Sequence, residues 1–195
     1  LDNVRSACSV GCGTGNDAVG LLALLATVSG GRDCPSSLDR MVLLDYAIDK
    51  WADTVISYLA GSDPLVGCDD DGLVGSFEMG NCDVTESLLG SKQNPIARKL
   101  LGLDGSISNN SRECDRAVPR CDLYLISYLL SETRGRWEEF MKELVDLSPE
   151  GTLFYFAEPS DGPLRRLKEL FYDDSDAALD FIVLRPNNVW IGMKR

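Results

Sequence analysis

Three glycines alternate with other residues in the run Gly11-Cys12-Gly13-Thr14-Gly15, which could form a ligand-binding turn. An apolar segment that reads as a strand precedes the run, and a helix that Asn16 could cap follows it. Glycine lets backbone N–H groups approach a ligand closely, and a helix N-terminus favours negative charge. In α/β folds built from alternating strands and helices, ligands bind beyond the carboxyl ends of the strands, where strand order reverses. The spacing therefore favours a binding loop over a simple tight turn.

An acid follows the second apolar run, Met41 to Leu44, at Asp45. A carboxylate at the end of the second strand can accept hydrogen bonds from ribose hydroxyls, although Asp45 could also cap a helix.

The chain contains no histidine, which excludes imidazole bases and histidine metal ligands. The run Asp69-Asp70-Asp71 lacks the alternating ligands and distal glutamate of a calcium loop. We expect no metal site.

The composition limits the partners and the compartment. The chain has 195 residues, a net charge of -12, and 31 acidic against 19 basic residues. Nucleic-acid binding depends largely on Lys and Arg, so we expect no direct binding of RNA or DNA by this chain alone. Its apolar runs, such as Val19 to Val28, are too short to span a membrane. Seven cysteines without a C-x-x-C pair favour a reducing, cytoplasmic compartment.

Strand-like and helix-like segments alternate along the chain, which predicts a parallel sheet with right-handed crossovers. The last two strands flank a short turn and must be antiparallel. The predicted strands are Val4 to Val10, Met41 to Leu44, Ser76 to Met79, Asp122 to Ile126, Gly151 to Ala157, Phe181 to Leu184 and Val189 to Met193. The predicted helices are one from Asn16 to Gly30, Ile48 to Leu59, a weak one within Glu86 to Leu101, Trp137 to Leu147 and Leu164 to Tyr172. Loops are expected over Gly30 to Asp39 and Gly61 to Gly75, and an insertion over Gly102 to Arg120.

Four segments, in this order, resemble the motifs of class I S-adenosylmethionine-dependent methyltransferases. They are Ser9 to Gly15 for the glycine motif, Leu43 to Tyr46 for the second-strand acid, Asn81 to Val84 for the adenine segment, and Asp122 to Tyr128 for the fourth strand. The resemblance spans essentially the whole chain. It implies an α/β fold, a three-layer sandwich whose seven-stranded, mostly parallel sheet ends in an antiparallel hairpin. We expect one S-adenosylmethionine-binding domain over residues 1–195, with a segment missing before its first strand.

The resemblance implies S-adenosylmethionine as the cofactor and methyl transfer as the reaction. The implied cofactor-binding residues are Ser9, Gly11, Cys12, Gly13, Thr14, Gly15, Asp45, Tyr46, Cys82, Asp83, Val84 and Ser127. Candidate catalytic residues follow the fourth strand and are Ser127, Tyr128 and Glu132, with Glu158 after the fifth strand as a further candidate base. Asp83 could instead cap a helix, and Glu132 could be a solvated helix residue.

Two features differ from the family pattern. Many members carry an acid two residues before the first glycine, where this chain has Ser9, which cannot neutralise the amino group of the cofactor. The stretch from Gly11 to Asp45 is also longer than the roughly 20 residues of related dinucleotide folds.

A nicotinamide-binding fingerprint would need glycine in place of Asn16. The alternative function is a non-catalytic methyltransferase-like scaffold or partner-binding module. As acceptor, the sequence favours a small molecule or protein over nucleic acid.

Overall fold

Strands and helices alternate throughout the computed structural model, which describes residues 4–29, 38–61, 74–103, 121–172, 179–184 and 188–195. The strands are β1 (Ser6–Val10), β2 (Arg40–Asp45), β3 (Phe77–Asn81), β4 (Leu123–Ser127), β5 (Leu153–Ala157), β6 (Leu179–Leu184) and β7 (Val189–Lys194). The helices are α1 (Asn16–Ser29), α2 (Ile48–Gly61), α3 (Pro95–Leu100), α4 (Leu129–Glu132), α5 (Glu138–Leu147) and α6 (Asp161–Tyr172). Within this described part, no helix combines the length and apolar content that a bilayer span requires.

All seven strands join one sheet in the order β3-β2-β1-β4-β5-β7-β6. The pairs among β1 to β5 are parallel, and β7 runs antiparallel to both of its neighbours, β5 and β6. The predicted mostly parallel sheet with an antiparallel C-terminal hairpin is confirmed. Successive strands extend from β1 in one direction through β2 and β3, and in the other through β4 and β5. The order therefore reverses between β1 and β4, where ligands bind on sheets of this kind.

Helices cover both faces of the sheet because alternate side chains of each buried strand point to opposite faces. On one face, residues such as Val10 and Ile126 pack against α3, α4, α5 and α6. On the other face, residues such as Ala7 and Leu43 pack against α1 and α2. These three layers are the predicted sandwich. The continuously apolar strands β2 and β4 are buried from both sides, as their sequences indicate.

The structure differs from the sequence prediction on either side of β4. The weak helix expected within Glu86 to Leu101 is reduced to α3, which begins at Pro95, and residues 82–94 form turns instead. Helix α4 has only four residues and its sequence gives no periodic signal, so it was not predicted. The predicted loops and insertion fall mainly on residues 30–37, 62–73 and 104–120, which lie outside the described residues.

Candidate functional site

A cleft of about 830 Å³ opens at the carboxyl ends of the first four strands. Its walls come from four segments of the chain, each of which directly follows or ends a strand. Among the sequence-predicted residues, the cleft is lined by Gly11, Cys12, Gly13, Thr14, Asp45, Tyr46, Cys82, Asp83, Val84, Ser127, Tyr128 and Glu132. The parallel order brings these residues together because the carboxyl ends of parallel strands meet at the same edge.

The glycine loop has a backbone that only glycine adopts readily. Gly11, Gly13 and Gly15 have φ values of +72°, +50° and +86°, in the left-handed region. A Cβ added at Gly13 would meet no atom within 4 Å, so the conformation rather than crowding requires glycine there. At Gly15 an added Cβ would lie 3.4 Å from Val55, which packs beneath the loop.

The N–H groups of this loop are largely used inside the protein. Gly11 N and Cys12 N donate to Leu44 O at 2.8 and 3.1 Å, and Gly15 N donates to Cys12 O at 2.8 Å. Gly13 N donates to the Asp45 carboxylate at 2.9 Å. Phosphate-binding loops instead direct such N–H groups at the ligand. The loop is therefore poorly suited to holding a phosphate.

Asp45 accepts hydrogen bonds that hold the loop in place, and it retains lone pairs that can accept hydrogen bonds from a ligand. One carboxylate oxygen accepts from Gly13 N, and the other accepts from Ala47 N at 2.7 Å. An ionised carboxylate offers about four lone-pair sites. Two of these can still accept hydrogen bonds from hydroxyl groups in the cleft, which is the chemistry that a ribose requires.

A buried amide shapes the turn after β3. Asp83 accepts hydrogen bonds from Thr85 N at 2.9 Å and Thr85 Oγ1 at 2.7 Å, so it caps this turn as well as lining the cleft. Asn94, which is fully buried, accepts from Asp83 N at 2.8 Å and donates to Asp83 O at 3.0 Å. Asn94 thereby fixes the backbone beside Cys82 and Val84, whose side chains are buried. Sequence reasoning missed Asn94, since no local signal marks its partner 11 residues away.

Aromatic rings surround the mouth of the cleft. Tyr46, Trp51 and Tyr128 line this cleft and are 68%, 37% and 57% exposed. Tyr128 also has a left-handed backbone, with φ of 63°, where it precedes α4. Strained, non-glycine backbone of this kind concentrates at functional sites. Exposed rings around a single cleft are suited to stacking on a flat ligand.

Glu158 has a structural role in this fold. Its carboxylate accepts hydrogen bonds from Leu130 N at 2.9 Å, Ser131 N at 3.1 Å and Ser131 Oγ at 2.5 Å. It is 4% exposed and does not line the cleft. Burial raises its pKa, and these three hydrogen bonds act in the opposite direction. The expectation that Glu158 could act as a base is therefore corrected: it caps the first turn of α4.

Ser9 and Gly15 lie outside the cleft lining. Ser9 is fully buried in β1 between Leu43 and Leu125, and its hydroxyl has no hydrogen-bond partner among the residues that the structure describes. The structure brings additional residues to the cleft that the motifs did not single out. They are Asn16, Asp17, Ala47, Trp51, Thr85, Leu129, Thr133 and Arg136. Of these, Asp17 had a signal in the sequence, since it is an acid two residues after the last glycine of the loop.

Acids dominate the charged groups of the cleft. Among the described lining residues, the charged side chains are Asp17, Asp45, Asp83, Glu132 and Arg136. Burial raises the pKa of the Cys12 thiol to about 12, and the neighbouring carboxylate of Asp45 adds to this shift. Cys12 is thus a neutral thiol near neutral pH and not a nucleophile. The arrangement favours a cationic or neutral ligand over an anion.

Comparison with known proteins relates the chain by structure only. No family model and no curated protein sequence match it. An rRNA methylase from Streptococcus thermophilus is 11% identical, with a TM-score of 0.55 over 100% of this chain and 89% of that chain. The precorrin-6y C5,15-methyltransferase of Geobacter metallireducens is 12% identical, with a TM-score of 0.54 over 98% and 80%. A ribosomal protein methylase from Lactobacillus delbrueckii is 12% identical, with a TM-score of 0.52 over 97% and 70%.

These similarities establish the fold that the order of motifs implied. The chain has the α/β fold of the class I S-adenosylmethionine-dependent methyltransferases. The similar proteins act, by their names, on RNA, on a small molecule and on a protein, so the fold leaves the acceptor open.

Proposed function

We propose that this chain binds S-adenosylmethionine in the cleft and transfers its methyl group to an acceptor. The observation that carries the proposal is a carboxylate-lined cleft at the switch point of a methyltransferase fold. The acids of this cleft suit a ligand with a positively charged sulfonium and ammonium group. A dinucleotide fits less well, because its pyrophosphate would face these acids and a loop most of whose N–H groups are already paired.

The residues of the cleft fit the parts of this cofactor. Asp45 retains acceptor sites for ribose hydroxyls, and the exposed ring of Tyr46 can stack on a base. The rigid turn at Cys82, Asp83 and Val84 offers a buried apolar edge and a carboxylate for adenine. We assign no ligand contact to Ser9 in this proposal, because its side chain is fully buried in the core.

The protein would contribute alignment more than covalent chemistry. When bound, the cofactor supplies a methyl group attached to an excellent leaving group. The chain must hold the acceptor in line with it and exclude water. We assign the acceptor side to Tyr128 and Glu132, which line the cleft after β4. Ser127 ends β4 and also lines the cleft, and we assign it to positioning the ligand.

The acceptor that we favour is a small molecule or a protein side chain rather than nucleic acid. The net charge of -12 and the acids of the cleft oppose a phosphate backbone. A protein or amine acceptor meets no such opposition.

Calorimetry with S-adenosylmethionine, S-adenosylhomocysteine and NAD tests the cofactor. We expect both S-adenosyl compounds to bind and NAD to bind undetectably. Asp45→Ala should weaken binding by about 1–3 kcal/mol, because it removes a charge-assisted hydrogen bond to ribose. Asp49→Ala is the matched control, since Asp49 is an exposed acid in the first turn of α2. Saturable NAD binding without S-adenosyl binding would refute the proposal.

Turnover separates an enzyme from a scaffold. A panel of amines, small molecules and proteins is incubated with methyl-labelled cofactor, and incorporation of label is measured. Tyr128→Phe and Glu132→Gln should slow turnover while cofactor affinity stays constant, because each change removes only a polar group facing the acceptor. Unchanged turnover in both variants would leave alignment alone as the source of catalysis. Cofactor binding without label transfer to any acceptor would favour the scaffold alternative.

A further inference from the structure

The turn that follows α4 presents two arginines, Arg134 and Arg136, on either side of Gly135. Both side chains are exposed, and neither guanidinium forms a hydrogen bond or an ion pair within the described structure. The nearby Arg166, by contrast, is paired with Glu138. A guanidinium without an internal partner keeps its N–H donors for a ligand. The turn therefore offers two positive charges to an acid that comes from outside it.

The backbone of the turn prevents a neutralising pair. Glu132 stands four residues before Arg136, a spacing that forms ion pairs on a helix. Helix α4 ends at Glu132, however, and the chain then passes through Arg134 and Gly135, whose φ values of +53° and +83° are both left-handed. No ion pair joins Glu132 to Arg136 in the described structure. Left-handed backbone at a residue other than glycine is uncommon and concentrates at functional sites.

Hydrogen bonds fix this turn to α4. Arg136 N donates to Thr133 O at 3.1 Å, and Thr133 Oγ1 donates to Leu129 O at 2.7 Å. The buried carboxylate of Glu158 holds the start of α4 by accepting from Leu130 N at 2.9 Å. The arginines thus stand on a positioned backbone, which lowers the entropy that a ligand must overcome on binding.

The turn is a wall shared by two depressions. Arg136 lines the cleft described above. Arg134 lines a second depression of about 400 Å³, whose lining also includes Leu130, Pro163 and Arg166. A ligand that contacts both Arg134 and Arg136 must extend out of the cleft and across the turn. This reach suits a peptide segment better than a small molecule.

The charges of the molecule favour an acidic peptide over a nucleic acid. The chain has a net charge of -12, and Asp17, Asp45 and Asp83 line the same cleft as Arg136. An acidic partner is repelled by the overall charge and attracted to the turn, which fixes its orientation. A nucleic acid brings a continuous row of phosphates that these three carboxylates oppose. A peptide can place its acids only where the arginines are.

We propose that the acceptor is a protein segment with acidic residues beside the side chain that enters the cleft, and that Arg134 and Arg136 bind those acids. This inference rests on the proposed function, because it names the acceptor class for the same site. Arg136 binds an acid next to the side chain that faces Tyr128 and Glu132. Arg134 binds a second acid farther along the segment. The two arginines determine specificity and touch no reacting atom.

Two matched sets of fluorescein-labelled peptides provide the test, with binding measured by anisotropy in the presence of S-adenosylhomocysteine. Every peptide has a central lysine or glutamine, and the surrounding positions carry glutamates in one set and glutamines in the other. Wild type should bind the glutamate set about 10-fold more tightly, since exposed ion pairs are individually weak and two of them add. Added salt should reduce this preference, because exposed charges are screened.

Variants assign the preference to the turn. Arg134→Asn and Arg136→Gln should each weaken the glutamate set about 3-fold, and together they should remove the preference. Asparagine is used at position 134 because it tolerates left-handed backbone. Arg5→Gln is the matched control, since Arg5 is an exposed arginine before β1, at the opposite edge of the sheet, and it should leave the preference intact. Far-UV circular dichroism shows whether each variant keeps the fold.

Several results would overturn the inference. These are equal binding of the two sets by wild type, no binding of either set, or a loss of preference in Arg5→Gln equal to that of the double variant. Tighter binding of a mixed-sequence RNA, lost in the double variant, would assign the arginines to nucleic acid instead. Calorimetry with S-adenosylhomocysteine tests the proposed function separately. A protein that binds this ligand without preferring acidic peptides loses only the inference, whereas a protein that binds no S-adenosyl compound loses both.

Discussion

Replacing Asn94 with alanine removes the amide that holds the turn between β3 and α3. Its Oδ1 accepts from Asp83 N at 2.8 Å. Its Nδ2 donates to Asp83 O at 3.0 Å, Ser87 O at 3.2 Å and, at the limit of a hydrogen bond, Glu86 O at 3.5 Å. Because Asn94 is fully buried, water cannot easily replace these partners. The variant should leave part of the turn backbone unsatisfied.

The magnitude follows from these contacts. Each hydrogen bond contributes about 0.5–1.5 kcal/mol net, and an orphaned buried group costs about 1–3 kcal/mol. Three bonds of 3.2 Å or less, with the turn relaxing around some of its groups, give an expected loss of about 2–4 kcal/mol in the free energy of unfolding. At this chain length each kcal/mol lowers Tm by about 2–4 °C.

Urea denaturation followed by circular dichroism measures the loss, and calorimetry measures binding of S-adenosylhomocysteine. Binding should also weaken, since the turn that Asn94 holds carries Cys82, Asp83 and Val84 into the cleft. Gln93→Ala is the control, because it shortens an exposed amide one residue earlier. Asn94→Asp keeps the acceptor but turns a carboxylate toward carbonyl oxygens, so it should be at least as harmful. A loss under about 1 kcal/mol with unchanged ligand affinity would refute this reasoning.

Three further predictions concern charge. Burial raises the pKa of Asp17 above its ordinary value of 3.8, so the folded state favours the protonated carboxyl. The resulting stabilisation of the fold is fully present below pH 3.8 and is lost as pH rises through the raised pKa. Asp17→Asn should therefore unfold at higher urea than wild type at pH 7, with the difference vanishing below pH 3.8; a constant difference would contradict this. Glu158→Ala should cost about 2–4 kcal/mol of stability by removing three hydrogen bonds to a carboxylate, yet leave affinity for S-adenosylhomocysteine within about 2-fold. A large affinity loss at unchanged stability would return Glu158 to the site. Generic RNA and DNA should not bind measurably at physiological salt in fluorescence anisotropy, and micromolar binding with steep salt dependence would show a basic surface that the composition hides.

The sequence determined the elements and the loop because both depend on neighbouring residues. Continuous apolar runs such as Met41 to Leu44 indicate strands buried on both faces, and this is how β2 lies. The alternating glycines predicted a backbone that other residues avoid, and their positive φ values are that backbone. Asp45 was found because it directly follows an apolar run at a predictable edge of the sheet. The hydrogen bond that it accepts from Gly13 N, 32 residues away, could not be found from the sequence, because no local pattern relates the two residues.

The tertiary structure alone decided that Asp17 lines the cleft and that Glu158 does not. Asp17 follows the glycine loop and Glu158 follows β5, so the sequence places both near the carboxyl edge of the sheet without showing which of them reaches the cleft. Packing brings Asp17 to the cleft, and it places Glu158 beneath α4, where it caps the N–H groups of Leu130 and Ser131, 28 and 27 residues away. Ser9 occupies a motif position, yet its place in β1 directs its side chain into the core. Such outcomes depend on contacts between distant segments, whose geometry is set only when the sheet and its helices have packed.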